Sequence, residues 1–291
     1  MFRERPGSPG GPPLRTVERT ARDQAQGEIV MARTARTDRS SRRGAVAVAS
    51  LAVALMASVA ACGADAGEDR DPEHRSFALE GRTLTVDSDD SALELVAADV
   101  DEVEVTRWFE GRVMVGGKPR VTWEMKDDRL KLRLECSGMV ADCAAKHRIE
   151  VPRGIAVVVR SDDGSVAAKG FAQPLEVRSA DGGVRVSDST GPLELHTDDG
   201  SVRALGVASR SVRVSTQDGS VALELGVVPD LVESRSDDGS ISIGLPRDAS
   251  YRVETGSDDG SVEVSVPRDR DSSHVVTAHT EDGSVKVRGT N

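Results

Sequence analysis

The residue that recurs most regularly in this 291-residue chain is an aspartate followed by glycine. Asp163, Asp181, Asp199, Asp218, Asp238, Asp259 and Asp282 each precede a glycine, and Asp162, Asp198, Asp237 and Asp258 stand beside four of them. Carboxylates at a regular interval can bind Ca2+ or can bend the backbone, since an Asp side chain accepts from nearby N–H groups in a tight turn. Stacked about 4.8 Å apart, neighbouring carboxylates repel by roughly 0.9 kcal/mol in water. A solvated edge tolerates that, and a Ca2+ ladder would relieve it. Ca2+ asks for about 6–8 oxygens, however, and nonapeptide Ca2+-binding rolls supply more ligands per ion than this pattern does. The second acidic position is also broken, by Ala180 and Gln217. The aspartates read as a structural turn ladder, with Ca2+ binding the alternative and no metal site or cofactor assigned.

Two further groups of residues carry chemistry. Cys136 and Cys143 enclose a short loop; in an exported protein a disulfide is the default, stabilising by roughly 2.5 kcal/mol in the chain-entropy model. A metal pair is the rival, but no second Cys or His pair sits at suitable spacing, and nearby His147 reads as a strand residue. The five histidines, His74, His147, His196, His274 and His279, form no motif with a Ser or Cys nucleophile. The acids are spread along an edge instead of clustering as the dyad of a polysaccharide-active enzyme. No catalytic residue is assigned, and the chain reads as no enzyme.

Cys62 closes an export signal. From Met31 onward come Arg33, Arg36, Arg39, Arg42 and Arg43, an apolar run to Ala61, and then the cysteine. A charged region, an apolar core and small residues before the cut are the order of a signal peptide. Val59-Ala60-Ala61-Cys62 resembles the bacterial lipobox, in which the cysteine receives diacylglycerol before cleavage. An uncleaved anchor is the rival, but residues 44–61 are Ala-rich and barely long enough to span a bilayer. The expected location is the cell membrane, lipid-anchored on its extracytoplasmic face.

Charge and composition narrow the partners. The first 61 residues hold 10 Arg and 5 acids, so a formal charge of −11 for the chain becomes −16 for the part after them. Nucleic acids and anionic lipids are bound through basic faces, so this balance argues against both. Aromatic residues make up only 2% of the chain, so a core must come from Val, Leu, Ile and Ala, which suits thin stacked strands.

The Asp-Gly glycines are spaced 18, 18, 19, 20, 21 and 23 residues apart, and alignment on them exposes a repeat. Two residues later stand Val166, Val184, Val202, Val221, Ile241, Val262 and Val285; seven residues before stand Val157, Leu175, Leu193, Val212, Val232, Val253 and Val276. Period-two alternation on both arms of a turn predicts strands. Ser161, Ser179, Thr197, Thr216, Ser236, Ser257 and Thr280, three residues before each glycine, have hydroxyls to satisfy turn backbone. The predicted fold is all-β, a parallel β-helix-like solenoid of 18–23-residue repeats. An antiparallel meander of Asp-Gly hairpins is the alternative. Leu84, Val86, Leu93 and Leu95 mark earlier strands, Asp89-Asp90-Ser91 looks like a degenerate turn of the same type, and Trp108 and Trp123 are expected to cap the stack.

Expected organisation runs as an unstructured extension over 1–30, a lipoprotein signal peptide over 31–61, an acidic linker over 62–76, an N-terminal β region over 77–152 and the solenoid over 153–291. The Arg107 strand, Lys118-Pro119 before the Trp123 strand, Leu130-Lys131-Leu132, the Cys136/Cys143 pair, Ile149 to Gly154 and the Gly-Ser-Val repeats together resemble the bacterial DUF4097 family. Its members are termed adhesins or β-strand-repeat proteins. That resemblance implies a solenoid-like domain outside the membrane, without established catalysis, serving adhesion or envelope binding. It implies envelope-stress sensing or maintenance as an alternative. The partner is an unidentified protein, glycan or cell-wall polymer. Arg185, Arg203 and Arg213 are candidate contacts for an anionic polymer, unless they pair across strands with Glu176 and Glu194.

Overall fold

A computed structural model describes residues 69–290. The extension, the signal peptide and Cys62 lie outside that range. The N-terminal strands are β1 (Glu73–Phe77), β2 (Thr83–Asp90), β3 (Ala92–Ala98), β4 (Val103–Gly116), β5 (Arg120–Lys126), β6 (Arg129–Glu135) and β7 (Gly138–Pro152). Pairs of strands then follow: β8 (Ala156–Asp163) with β9 (Val166–Lys169), β10 (Leu175–Asp181) with β11 (Val184–Ser187), and β12 (Leu193–Asp199) with β13 (Val202–Val207). The last pairs are β14 (Ser211–Asp218) with β15 (Val221–Leu225), β16 (Leu231–Asp238) with β17 (Ile241–Pro246), β18 (Arg252–Asp259) with β19 (Val262–Ser265), and β20 (Val275–Asp282) with β21 (Val285–Thr290).

The two members of each pair lie in different sheets, so each Asp-Gly step is a corner of a coil and no hairpin. Successive coils pair in parallel, residue for residue: Leu175 faces Val157 on one side and Leu193 on the other. The fold is therefore an all-β solenoid with an 11-stranded and a 10-stranded sheet, and parallel pairing excludes the meander for the repeats. Antiparallel pairing is confined to β1–β4, β4–β7 and β5–β6.

Stacking explains the glycine better than backbone freedom does. Gly182 and Gly200 have φ of 145° and 156°, in the region that favours glycine. The stronger demand is contact: a Cβ on Gly219 would collide with the Gly200 carbonyl oxygen, and one on Gly239 with that of Gly219. The same carbonyls accept from hydroxyls of the next coil, Thr216 Oγ1 to Gly200 O at 3.1 Å and Ser236 Oγ to Gly219 O at 2.9 Å. Expected turn hydroxyls thus bridge coils. Ser161 and Ser179, in contrast, are buried without a partner.

Coils β8/β9 to β16/β17 stack in chain order. Beyond them the order is exchanged, because β20/β21 lies between β16/β17 and β18/β19, leaving β18/β19 at the edge. The first coil, β2/β3, is likewise held between β6/β7 and β8/β9. Asp90 pairs with Asp163 in the same row as the other corner aspartates, so β2/β3 is a full coil and the expected boundary at 152/153 cuts through one stack. The expected linker to residue 76 also ends too late, since β1 begins at Glu73.

The inward columns form one core of Val, Leu, Ile and Ala, with Val166, Val184, Val202 and Val221 all buried. Val262 departs from its column and is 45% exposed, because its coil has a neighbour on one side only. Trp123 packs on the opposite end of the core, edge-on to Phe77 and beneath the Arg107 guanidinium, 4.3 Å from its ring centre. Trp108 does not cap; it lies half-buried on the outer side of β4 with Lys146 over its ring.

Candidate ligand-binding groove

Outward residues of the 10-stranded sheet form rows along the stack. Strand pairing places Arg160, Arg178, His196, Ser215, Arg235 and His279 side by side, one per coil. His279 neighbours Arg235 only because β20 is inserted beside β16. A second row, two residues earlier on each strand, reads Glu176, Glu194, Arg213, Glu233 and Thr277. Between these rows runs an open groove of about 490 Å³ lined by Arg178, His196, Arg213, Arg235, Glu233 and His279.

Ion pairs already occupy part of this surface. Arg178 donates to Glu176 at 2.7 Å and approaches Glu194 at 3.4 Å, and the Glu176 hydrogen bond holds its guanidinium above the ordinary value. Arg213 donates to Glu233 at 2.7 Å. Among the described residues no acid lies within ion-pairing distance of Arg235. The three arginines expected to meet an anionic polymer divide between faces: Arg213 lines the groove, while Arg185 and Arg203 are paired neighbours on the other sheet.

His196 joins a cluster that its sequence neighbours do not reveal. Its Nδ1 lies 2.7 Å from Ser215 Oγ and its Nε2 lies 3.1 Å from Asp198 Oδ1. The types match a nucleophile, a base and an orienting acid. Ser215 comes from the next coil, 19 residues on, so only the stacking register brings it there. The surroundings suit a surface network better. Asp198 is 47% exposed and also accepts from Gln217 at 3.0 Å. The amides of these strands are engaged with coils on both sides, so none faces outward as an oxyanion donor.

The corner aspartates form one continuous row, Asp90, Asp163, Asp181, Asp199, Asp218, Asp238, Asp282 and Asp259 in spatial order. All are exposed. Gln217 in the adjacent row donates to Asp198, which explains one break in that column. Among the described residues no group of three or more His, Cys, Asp or Glu is placed to hold a metal ion.

Cys136 and Cys143 are joined as a disulfide with Cα atoms 6.2 Å apart. Gly111 faces Cys143, and a Cβ there would meet its sulfur at 3.0 Å. His147 is fully buried beside Trp123 with neither ring nitrogen bonded. Burial, reinforced by the Arg107 charge, lowers its pKa from 6.5 to about 4.

These features define a two-sheet β-solenoid that presents a charged outer face. The chain belongs to the Toastrack DUF4097 family, whose model matches residues 134–288. No curated protein matches it. Among solved structures it is similar to a putative cell adhesion protein from Clostridium sporogenes, at 12% identity and a TM-score of 0.37, covering 76% of this chain and 100% of that one. It is also similar to a putative adhesin from Bacteroides fragilis, at 13% identity and a TM-score of 0.40, covering 76% of this chain and 98% of that one.

Proposed function

We propose that this protein is an extracytoplasmic lipoprotein that binds an extended anionic polymer along the groove of its 10-stranded sheet, without catalysing a reaction on it. The observation that carries this reading is the row Arg160, Arg178, His196, Ser215, Arg235 and His279, one residue per coil in register. In a chain whose part after residue 61 carries −16, that row concentrates cationic and hydrogen-bonding groups along one line. A linear polymer with regularly spaced anions meets such a line at many points, each weak alone. Cys62 supplies the attachment to the membrane in this reading, and the solenoid stands outside it as a binding face, serving adhesion or contact with envelope polymers.

Equilibrium binding of the purified protein to polygalacturonate, with neutral dextran as control, tests the reading. Polygalacturonate should bind, and binding should weaken with added salt, because exposed charges are screened beyond about 8 Å at physiological ionic strength. Arg235→Glu should weaken it roughly tenfold, or about 1.4 kcal/mol. Equal affinity for dextran, or no change in Arg235→Glu, would contradict the assignment.

A further inference from the structure

Beyond the body of the 11-stranded sheet, the distal parts of β4 and β7 pair only with each other. Pairing runs from Phe109 with Ala145 to Gly116 with Gly138, whereas β3 reaches β7 only from Lys146 onward. The result is a two-stranded arm. The Cys136–Cys143 disulfide ties the link that enters β7, two residues before the tip residue Gly138, to β7 opposite Gly111. The arm's tip carries the most exposed large apolar side chains among the described residues: Met114 at 77%, Met139 at 71% and Val115 at 63%.

Apolar side chains project from both faces of the tip. Val115 and Met139 are cross-strand partners and share one face, and Met114, next along the strand, points to the other. A groove on a protein would cover one face. A bilayer surrounds both. Arg112 faces Asp142 across the strands and lies 4.0 Å from Glu110, and Arg120 faces Glu135. Lys118, in the link that follows the tip, suits a lipid phosphate.

The arm also points back along the chain. Strand β1 runs antiparallel to β4, from Glu73 opposite Arg107 to Phe77 opposite Val103, so residues 69–72 lie on the arm's side. The Asp69 carboxylate accepts from the Asp71 N–H at 3.0 Å and from the Phe109 N–H at 3.1 Å, and these two bonds hold its pKa below the ordinary value. Cys62 stands seven residues before Asp69, a reach of at most about 24 Å. The tip is seven residues from Phe109 along β4, so the cysteine can reach the level of the tip.

We propose that the tip of this arm, at Met114, Val115 and Met139, enters the membrane surface beside the lipid anchor and so fixes the orientation of the solenoid. The proposal rests on the reading of Cys62 as lipidated. Amphipathic elements held this way bury apolar groups about 5–10 Å into the headgroup boundary. The arm acts as a second foot, holding the solenoid's groove at a set angle to the bilayer.

The test uses full-length lipidated protein reconstituted into phosphatidylglycerol–phosphatidylethanolamine vesicles, with and without brominated acyl chains. Val115→Trp reports the tip, and Val262→Trp, at the opposite end of the stack, is the control. The Val115→Trp protein should show blue-shifted emission that brominated chains quench, while the added emission of Val262→Trp is unaffected. If both proteins float with the vesicles but neither is quenched, the arm proposal fails and the anchor stands. If the protein does not float, the anchor reading fails and the proposal with it. A blue shift without quenching would place the tip against protein and overturn the proposal equally.

Discussion

From β8 to β17 each coil lies beside the coil that precedes it in sequence, whereas at both ends a coil is inserted out of order. The middle is held by repetition. A corner glycine packed on the coil beside it and an inward aliphatic residue recur on every rung, with a hydroxyl bridge added from Thr197 onward, so each coil needs only its neighbours. The ends are held by long-range closure. The C-terminal coil is pinned on both sides, and the exposed edge passes to β18/β19, where Arg252, Glu254 and Glu263 stand on the strands. Charged, partly exposed edge strands discourage pairing with another molecule. Repetition therefore builds the rows of the proposed binding face, and the exchange of order closes the stack that carries them.

The largest expected effect lies in the middle. Val221 is buried in the core, and Val221→Asp should cost more than about 4 kcal/mol, because a charge is buried without a partner. Arg213→Ala, which removes an exposed pair with Glu233, should cost less than about 1 kcal/mol. Equal melting temperatures for the two would sink the inward and outward assignments. Next comes Gly219→Ala, expected to cost about 3 kcal/mol by forcing stacked backbones apart. Gly154→Ala at the turn before β8 has open space around it and a φ of 86°, so it should cost only about 1–2 kcal/mol. Denaturant midpoints would rank them; the reverse order would break the stacking explanation.

At the N-terminal end, His147 makes the cap sensitive to acid. Its folded pKa, about 4, lies below the ordinary 6.5, so the unfolded chain binds the proton first as pH falls. Stability present above pH 6.5 should fall by about 3 kcal/mol on approach to pH 4. In His147→Leu that part of the slope should vanish, and a slope unchanged from wild type in thermal melts would show the ring to be solvated. The last effect concerns the arm. A Cys136→Ser/Cys143→Ser protein should lose roughly 2.5 kcal/mol or less. Hydrogen exchange should quicken in β4 and β7 and stay unchanged in β10 to β15. Uniform loosening would contradict a separately held arm.

Much of the middle was legible because repetition averages out local noise: the inward columns, the corner and the outward position of His196 and His279 follow from alignment on glycine. The reason for the glycine was only half legible, since contact with the coil beside it depends on stacking. The ends were opaque for a physical reason. Nothing local in Val253 or Val276 tells which coil abuts Val232, because every coil carries compatible inward residues. The Ser215–His196 contact was hidden likewise, requiring register between coils. Burial of His147 arises from β5 closing over it, a contact that strand alternation alone does not specify.

The exchanged order determines what lines the groove, since it sets His279 and not Gly256 beside Arg235. Disulfide trapping reads this directly. Parallel neighbours lie about 4.8 Å apart, within bridging range, whereas residues two strands away lie near 9.6 Å and cannot be joined. Oxidation of an Arg235→Cys/His279→Cys protein should give an intramolecular bond, and Arg235→Cys/Gly256→Cys should give none. Efficient bridging of the second pair, with none in the first, would show the coils stacked in chain order and contradict the account.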